Sequence, residues 1–462
     1  MLQTTKSHVI IRYAGNVASI LHDRKIKIAT LRKSYYFDNN HFFIDFCHPP
    51  SVVFCSLRIV DVKSRQKPIY KIRKPSLNGT VCKKKVESFV FIKTHKSGST
   101  TLTSLFQKFA FINNLYMMVS TYYHNNHLGW PYKFEAENNI VMPPAGKKFN
   151  ALVNHVVYNR TALKELMHPD TAYVTVLREA TSHLLSAYHY FGVDLRLGGG
   201  GPENFIKFLT HPQRLDSIPD WLIELGALAG KTHIKSLTRN LQSADLGFEY
   251  RDHRNETAIK QFIARIVDEE FDFILILEKL SESLVLMKRK FCWTMSDIVR
   301  ISKNIRKLKW GYSDLKDKQA LRKAYEWVNV DKRLYVKAKR KLEAMLEAEK
   351  GMEDEVMVYE NINNQINTYC GPLDKWDVPV RDEPEPLIIG QTPYSEEFVV
   401  DRQFCVLLLL KEEDLTFWFK CKQFPHHSQC VREVRERLHI QWLLTGGAPT
   451  VDHKVVSPTR RV

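Results

Sequence analysis

Lys93, His95 and Lys96 crowd into the segment Phe89-Val-Phe-Ile-Lys-Thr-His-Lys-Ser-Gly-Ser-Thr-Thr-Leu-Thr103, where cationic, hydroxyl and small residues follow directly on an apolar run. These residue types in this order can hold a phosphate or sulfate group. Gly98 lets the backbone approach an anion closely, Ser97, Ser99, Thr100 and Thr101 offer hydroxyls and amides, and Lys96 brings a positive charge from the turn. Lys93, at the end of the run, is placed to contact a nucleotide or an acceptor. The order differs from the Walker phosphate loop, which needs an earlier Gly, a Gly directly before the Lys and a Ser or Thr after it, and this disfavours a P-loop kinase. Two histidines compete for a proton-accepting role. His95 lies between two lysines, whose charge favours its neutral form. His155 follows the apolar run Phe149-Asn-Ala-Leu-Val153 at the end of a second strand, where open parallel sheets place their active sites.

The elements that must position these residues are legible as alternating patterns. Phe89–Ile92 suits a central parallel strand, and Leu102, Leu105, Phe106 and Phe109 recur at helical spacing behind it. Ala172–Leu177 reads as another strand, ending at Arg178, with a helix beginning near Thr181. Arg178 and Ser186 converge there on a second anionic group, the guanidinium offering a planar fork of donors. Strands near Phe89, Leu152, Val174 and Phe273 alternate with helical segments, so the fold class is α/β, a P-loop-like parallel sheet flanked by helices. Asp314 to Glu349 reads as one long charged helix with Leu321, Tyr325, Val328, Leu334 and Leu342 facing inward, and Pro379 to Pro393 as a loop.

A lysine followed by small and hydroxyl residues resembles the 5'-phosphosulfate loop of sulfotransferases that use 3'-phosphoadenylyl sulfate (PAPS), and Arg178 with Ser186 resembles their 3'-phosphate segment. The chain more specifically resembles the galactose 3-O-sulfotransferase family, which includes the galactosylceramide sulfotransferases. The likeness rests on Phe91-Ile-Lys-Thr-His-Lys96, Val174-Thr-Val-Leu-Arg178 with Ser186, Tyr188, His189, Tyr190 and Phe191, Leu237-Thr-Arg-Asn240 with Asp245-Leu-Gly247, Phe271 to Glu278, Glu282 to Leu286, and Cys292-Trp293. Trp327, Asp331, Leu334 and Tyr335 also fall where the family has a long helix, so the likeness runs from about Glu87 to about Leu410. It implies PAPS as sulfate donor, bound by Lys93, Lys96, Ser97, Gly98, Ser99, Thr100, Thr101, Arg178 and Ser186. Lys96 would stabilise the leaving phosphate. A histidine at a strand end serves as base in the related uronyl 2-O-sulfotransferases, which favours His155 over His95. Two departures stand out: Glu179-Ala180 replaces the family's usual Asp-Pro, and the run Gly198 to Gly201 sits where substrate-facing loops are expected.

The resemblance implies sulfation of the 3-hydroxyl of a terminal β-galactose, on galactosylceramide-type glycolipids, at the lumenal face of the Golgi membrane. Galactose of N- or O-glycans as acceptor, or an inactive glycan- or anion-binding protein of the same fold, are the alternatives. The chain has 462 residues and a formal net charge of +17, which calls for anionic partners. Its lysines are dispersed and no nucleic-acid-binding signature occurs, so no nucleic acid is expected. Eight cysteines show no CxxC and no paired metal spacing, and no metal is expected. In an oxidising compartment some of them would form disulfides. Asn78, Asn159 and Asn255 open glycosylation sequons. The most apolar N-terminal stretch, Phe42 to Val60, is interrupted by Asp45, His48, Pro49, Pro50 and Arg58 and makes a poor membrane span. The expected organisation is a basic stem or linker over 1–85, a catalytic domain over 86–425 and a tail over 426–462.

Overall fold

A computed structural model of the chain describes residues 84–121, 127–135, 140–215, 232–301, 310–311, 315–374, 385–433 and 440, together with three N-terminal strands. Two compact units result, Met1–Ile72 and Arg73–Val462. In the first, Tyr35–Asp38, His41–Ile44 and Ile59–Asp61 pair as an antiparallel sheet. Most of the expected stem over 1–85 lies outside the described residues.

The second unit is built on a four-stranded parallel sheet. Its strands are β1 (Phe89–Ile92), β2 (Ala151–Leu152), β3 (Ala172–Leu177) and β4 (Phe273–Ile276), in the order β2-β1-β3-β4. Val90 lies opposite Leu152, Phe91 opposite Val174 and Thr175 opposite Ile274. Every residue of these strands is buried, as expected for strands covered on both faces. Helix α1 (Ser99–Ile112) follows β1 directly. Its Phe106 ring stacks on Phe91 at 4.7 Å and its Phe109 ring on Trp293 at 3.9 Å. Each such buried aromatic contributes roughly 1.5–3 kcal/mol. Helices α2 (Ala180–Tyr190), α3 (Leu241–Asp245) and α4 (Leu280–Phe291) continue the alternation, giving the α/β class read from the sequence.

The segment expected as one long helix divides at Val328 into α5 (Lys318–Trp327) and α6 (Asn329–Glu347). The division has a capping cause: Asn240 on the neighbouring segment accepts from the backbone N–H groups of Val330 (3.0 Å) and Asp331 (3.2 Å), satisfying donors at the start of a new helix. Val328, Leu334 and Leu342 are buried as expected, but Tyr325 faces outward, with the Lys332 ammonium 3.8 Å from its ring centroid. Within the expected loop at Pro379 to Pro393, Leu387–Ile389 instead pairs antiparallel with Phe398–Val400, while residues 379–384 lie outside the described ones. Helices α7 (Met352–Cys370), α8 (Arg402–Leu409) and α9 (Glu412–Gln423) complete the unit. Cys370 is bonded to Cys405 and Cys421 to Cys430. Among the described residues no helix is long and apolar enough to cross a membrane.

Candidate active site

The turn between β1 and α1 is shaped for an anion. Lys96 (φ 56°) and Gly98 (φ 74°) both take left-handed backbone, and Gly98 occupies the N-cap position without any side-chain cap. The first-turn amides of α1 thus keep the donors that a capping side chain would have occupied, and no acidic residue stands in that turn. The left-handed dihedral is what favours glycine at 98; a Cβ there would also meet Leu277 Cδ1 at 2.7 Å, which the leucine side chain would have to move to relieve. The Ser97 and Ser99 hydroxyls face inward. Each donates to the Thr94 carbonyl at 2.8 Å, while Thr94 Oγ1 donates to Val176 O at 2.6 Å and ties the turn to β3. Ser97 and Ser99 therefore hold the turn with their side chains and can offer an anion their backbone N–H groups.

Arg178, at the end of β3, reaches this turn: its Nη1 donates to the Lys96 carbonyl at 3.1 Å. Gln242 on α3 fixes the arginine backbone from both sides, accepting from Arg178 N (2.8 Å) and donating to Arg178 O (3.0 Å). The buried Asp331 carboxylate in turn accepts from the amides of Gln242 (3.2 Å) and Ser243 (2.8 Å). Glu179 is the N-cap of α2 and accepts from Thr181 N (3.1 Å) and Ser182 N (2.7 Å). It opens the helix with its own carboxylate. Ser186 and Tyr190 lie one turn apart on α2 and share a face. The Lys96 ammonium sits 3.8 Å from the Tyr190 ring centroid, which places that face beside the phosphate turn. Of the Gly198–Gly201 run, Gly200 is constrained by close approach, since a Cβ there would meet His189 at 2.7 Å.

His95 and His155 come together behind the turn. Their rings stack with centroids 4.1 Å apart. Asp245, fully buried at the end of α3, accepts from the His95 backbone N–H at 2.8 Å and from His95 Nδ1 at 2.9 Å, and its other oxygen accepts from Trp130 Nε1 at 3.0 Å. A carboxylate partner fixes the proton on Nδ1 and leaves Nε2 as the basic nitrogen. His183 Nε2 donates to the His95 carbonyl at 2.8 Å, pinning the same residue from α2. Burial holds His155 well below the ordinary histidine range and brings His127 down to about 3, the nearby Lys93 and His95 charges acting in the same direction.

Lys93 is no surface lysine. Its ammonium is buried in an ion pair with Glu412 at the start of α9, whose Thr416 and Glu412 carbonyl are bound by Gln107 of α1 at 3.0 and 3.1 Å. Asp245, Gln242, Trp130, Tyr190 and Glu412 are among the residues that reading the sequence did not assign to the site, as are His127, His183 and Asp331. Asp245 and Tyr190 stood inside recognised motifs, whereas Glu412 lies 319 positions from its partner with no local signal.

A sequence model of galactose-3-O-sulfotransferases matches residues 60–378, which span both anion-facing segments and the His95–Asp245 pair. The chain belongs to the galactose-3-O-sulfotransferase family. Its relatives include galactose-3-O-sulfotransferase 2 of Homo sapiens, 28% identical over 267 residues (58% of this chain, 63% of the relative). Galactosylceramide sulfotransferase of Bos taurus is likewise 28% identical, over 295 residues (61% of this chain, 63% of the relative). The chain thus spans less than two thirds of the length of these galactose-3-O-sulfotransferases.

Proposed function

We propose that this protein is a sulfotransferase that uses PAPS to sulfate the 3-hydroxyl of a terminal β-galactose, on galactosylceramide-type glycolipids. The observation that carries the reading is the contact between the two halves of the site, Arg178 Nη1 on the Lys96 carbonyl at 3.1 Å, in a chain of this family. When bound, PAPS supplies the sulfuryl group and departs as adenosine 3',5'-bisphosphate. The uncapped first turn of α1 and Lys96 would hold the 5'-phosphate and the charge that develops on the bridging oxygen, with Thr100 and Thr101 beside them. Arg178 and Ser186 would hold the 3'-phosphate.

For the acceptor proton the geometry supports His95 in the role that sequence reading gave first to His155. His95 Nε2 is oriented by the Nδ1 bond to Asp245 and can take the proton of the galactose hydroxyl as its oxygen bonds to sulfur. The resulting imidazolium is stabilised by the Asp245 carboxylate. His155, neutral and stacked on His95, limits where that ring can move.

Placement in the Golgi lumen is supported by the disulfides Cys370–Cys405 and Cys421–Cys430, which suit an oxidising compartment, and by the exposed Asn255 sequon. The Asn159 sequon fits less well, because its amide donates to Phe134 O at 2.9 Å. Galactose on N- or O-glycans is the second acceptor reading, kept because a relative named galactose-3-O-sulfotransferase 2 matches at the same 28% identity as one named galactosylceramide sulfotransferase. Galactosylceramide and N-acetyllactosamine competing in one assay with labelled PAPS separate the two. Preferential labelling of the lipid supports the glycolipid reading, and labelling of N-acetyllactosamine alone replaces it.

A further inference from the structure

Three imidazoles meet beyond the C-terminal ends of the paired strands β1 and β2. His95 stands in the turn after β1 and His155 just beyond β2, and the two strands are paired neighbours. His127 is drawn in by backbone pairing: it forms a parallel bridge with His155, and Leu128 N–H donates to His155 O at 2.8 Å. The His127 and His155 rings meet edge to face at 5.0 Å, while those of His95 and His155 stack at 4.1 Å. One donor nitrogen from each residue lies within 4.8 Å of the other two.

We infer that His95, His127 and His155 form a three-histidine site for a late first-row divalent cation, zinc above all, whose binding switches off proton transfer at His95. The donor set is the first argument. Three imidazole donors suit zinc, and the ligand type disfavours magnesium and calcium, which take oxygen ligands. The second argument is the hydrogen bonding behind the donors. His95 gives Nδ1 to the buried Asp245 carboxylate, the carboxylate–histidine arrangement that orients metal-binding imidazoles and raises their basicity. The third is His155 Nδ1, which is buried and has no hydrogen-bond partner; it shares that state with four other histidine nitrogens among the described residues, but it alone of them belongs to the three-histidine cluster.

The distances are compatible with closure on an ion. Zinc–nitrogen bonds of about 2.0–2.1 Å in a tetrahedron put donors about 3.3 Å apart, so the three rings need to close by about 1.5 Å or less at their widest pair, and His155, whose ring stacks within 22° of His95, must turn so that its in-plane lone pair points at the same ion. The Lys93 ammonium nearby is matched by Glu412, which limits its repulsion of a cation. A lone pair shared with zinc is not available to a hydroxyl proton, so an occupied site is inactive. That inhibitory consequence rests on His95 being the base, whereas the cation site itself does not depend on the proposed reaction.

The experiment titrates metal-free full-length protein with zinc against a chromophoric chelator, and with cobalt(II) while recording its visible absorption, for wild type, His127→Ala and His127→Asn. Circular dichroism confirms that each variant is folded. The expected result is one tight zinc per chain and an intense cobalt spectrum in wild type, both weakened by roughly 10–100-fold in affinity in the two variants. Zinc should also inhibit sulfate transfer by wild type, reversibly on chelation, while His127→Ala keeps its zinc-free activity and needs at least about tenfold more zinc for the same inhibition. Zinc affinity unchanged by loss of His127, or no cobalt spectrum from folded wild type, overturns the site. Equal inhibition of wild type and His127→Ala overturns the switch. If wild type binds zinc through His127 yet transfers no sulfate, the proposed reaction fails and the cation site stands.

Discussion

His95 gives Asp245 two hydrogen bonds, one from its backbone and one from its ring, and this double hold distinguishes it from the other histidines around it. A positioned general base is worth about 10²–10⁴ in rate, so His95→Ala should lower kcat by that range while PAPS affinity, read by equilibrium binding, changes little. Asp245→Asn should reproduce part of the loss with PAPS binding again retained, because it removes the group that fixes the tautomer. Full activity in Asp245→Asn would return the base role to His155. Lys93 tests a different property of the site. Its pair with Glu412 is buried, and removing one partner of a buried pair costs about 3–5 kcal/mol, so Lys93→Met should be strongly destabilised in urea. Lys93→Met combined with Glu412→Met should recover much of that loss, and a double variant no more stable than the single one would mean that the pair is not what the lysine contributes.

At the scale of elements, the turn after β1 carries the account. Alanine at Gly98 would have to adopt φ near 74° with its Cβ 2.7 Å from Leu277 Cδ1. Left-handed backbone alone costs a non-glycine residue about 1–2 kcal/mol, so Gly98→Ala should lower stability by at least that much and weaken PAPS binding, as calorimetry would show. Unchanged PAPS affinity would indicate that the uncapped helix end is not the anion site. This turn was legible in the sequence because strand, turn and helix are local: Phe89–Ile92 and the Leu102, Leu105, Phe106, Phe109 spacing mark it within one segment. Arg178 was legible for the same reason, as the last residue of an apolar run. The inward use of the Ser97 and Ser99 hydroxyls was not, since composition does not say which of several hydroxyls a turn spends on its own carbonyls. Nor was the break at Val328, whose cap comes from Asn240, about ninety residues away in the chain. Glu412 is hidden by a still greater separation, 319 positions from Lys93: a buried ion pair between remote segments leaves no mark in either one.

Across the whole molecule, stability and activity are linked through buried polar groups that brace the sheet. Asp331 shows this most directly, since burial pushes its carboxyl from the ordinary 3.8 up to about 6 despite its bonds to Ser243 and Gln242. The folded state therefore binds a proton that the unfolded chain has released between those two values. The stabilising contribution of protonated Asp331 is present in full below pH 3.8 and is lost as pH rises through 6. Relative to Asp331→Asn, wild type should lose on the order of 1–3 kcal/mol in urea unfolding between pH 4.5 and 7, and parallel pH profiles would contradict that origin. The disulfides Cys370–Cys405 and Cys421–Cys430 tie α7 to α8 and close the end of α9, the helix that supplies Glu412, so the frame behind the site extends well beyond the sheet. The central claim is that the turn at Lys96 and the strand end at Arg178 serve one transfer reaction. Its most direct test incubates wild type, Lys96→Ala and Arg178→Ala with labelled PAPS and a terminal β-galactoside and locates the sulfate on the sugar. Label on the galactose 3-hydroxyl from wild type, reduced at least a hundredfold in both variants, is the result expected. PAPS binding with no transfer to any galactoside, or transfer that Lys96→Ala leaves intact, would contradict it.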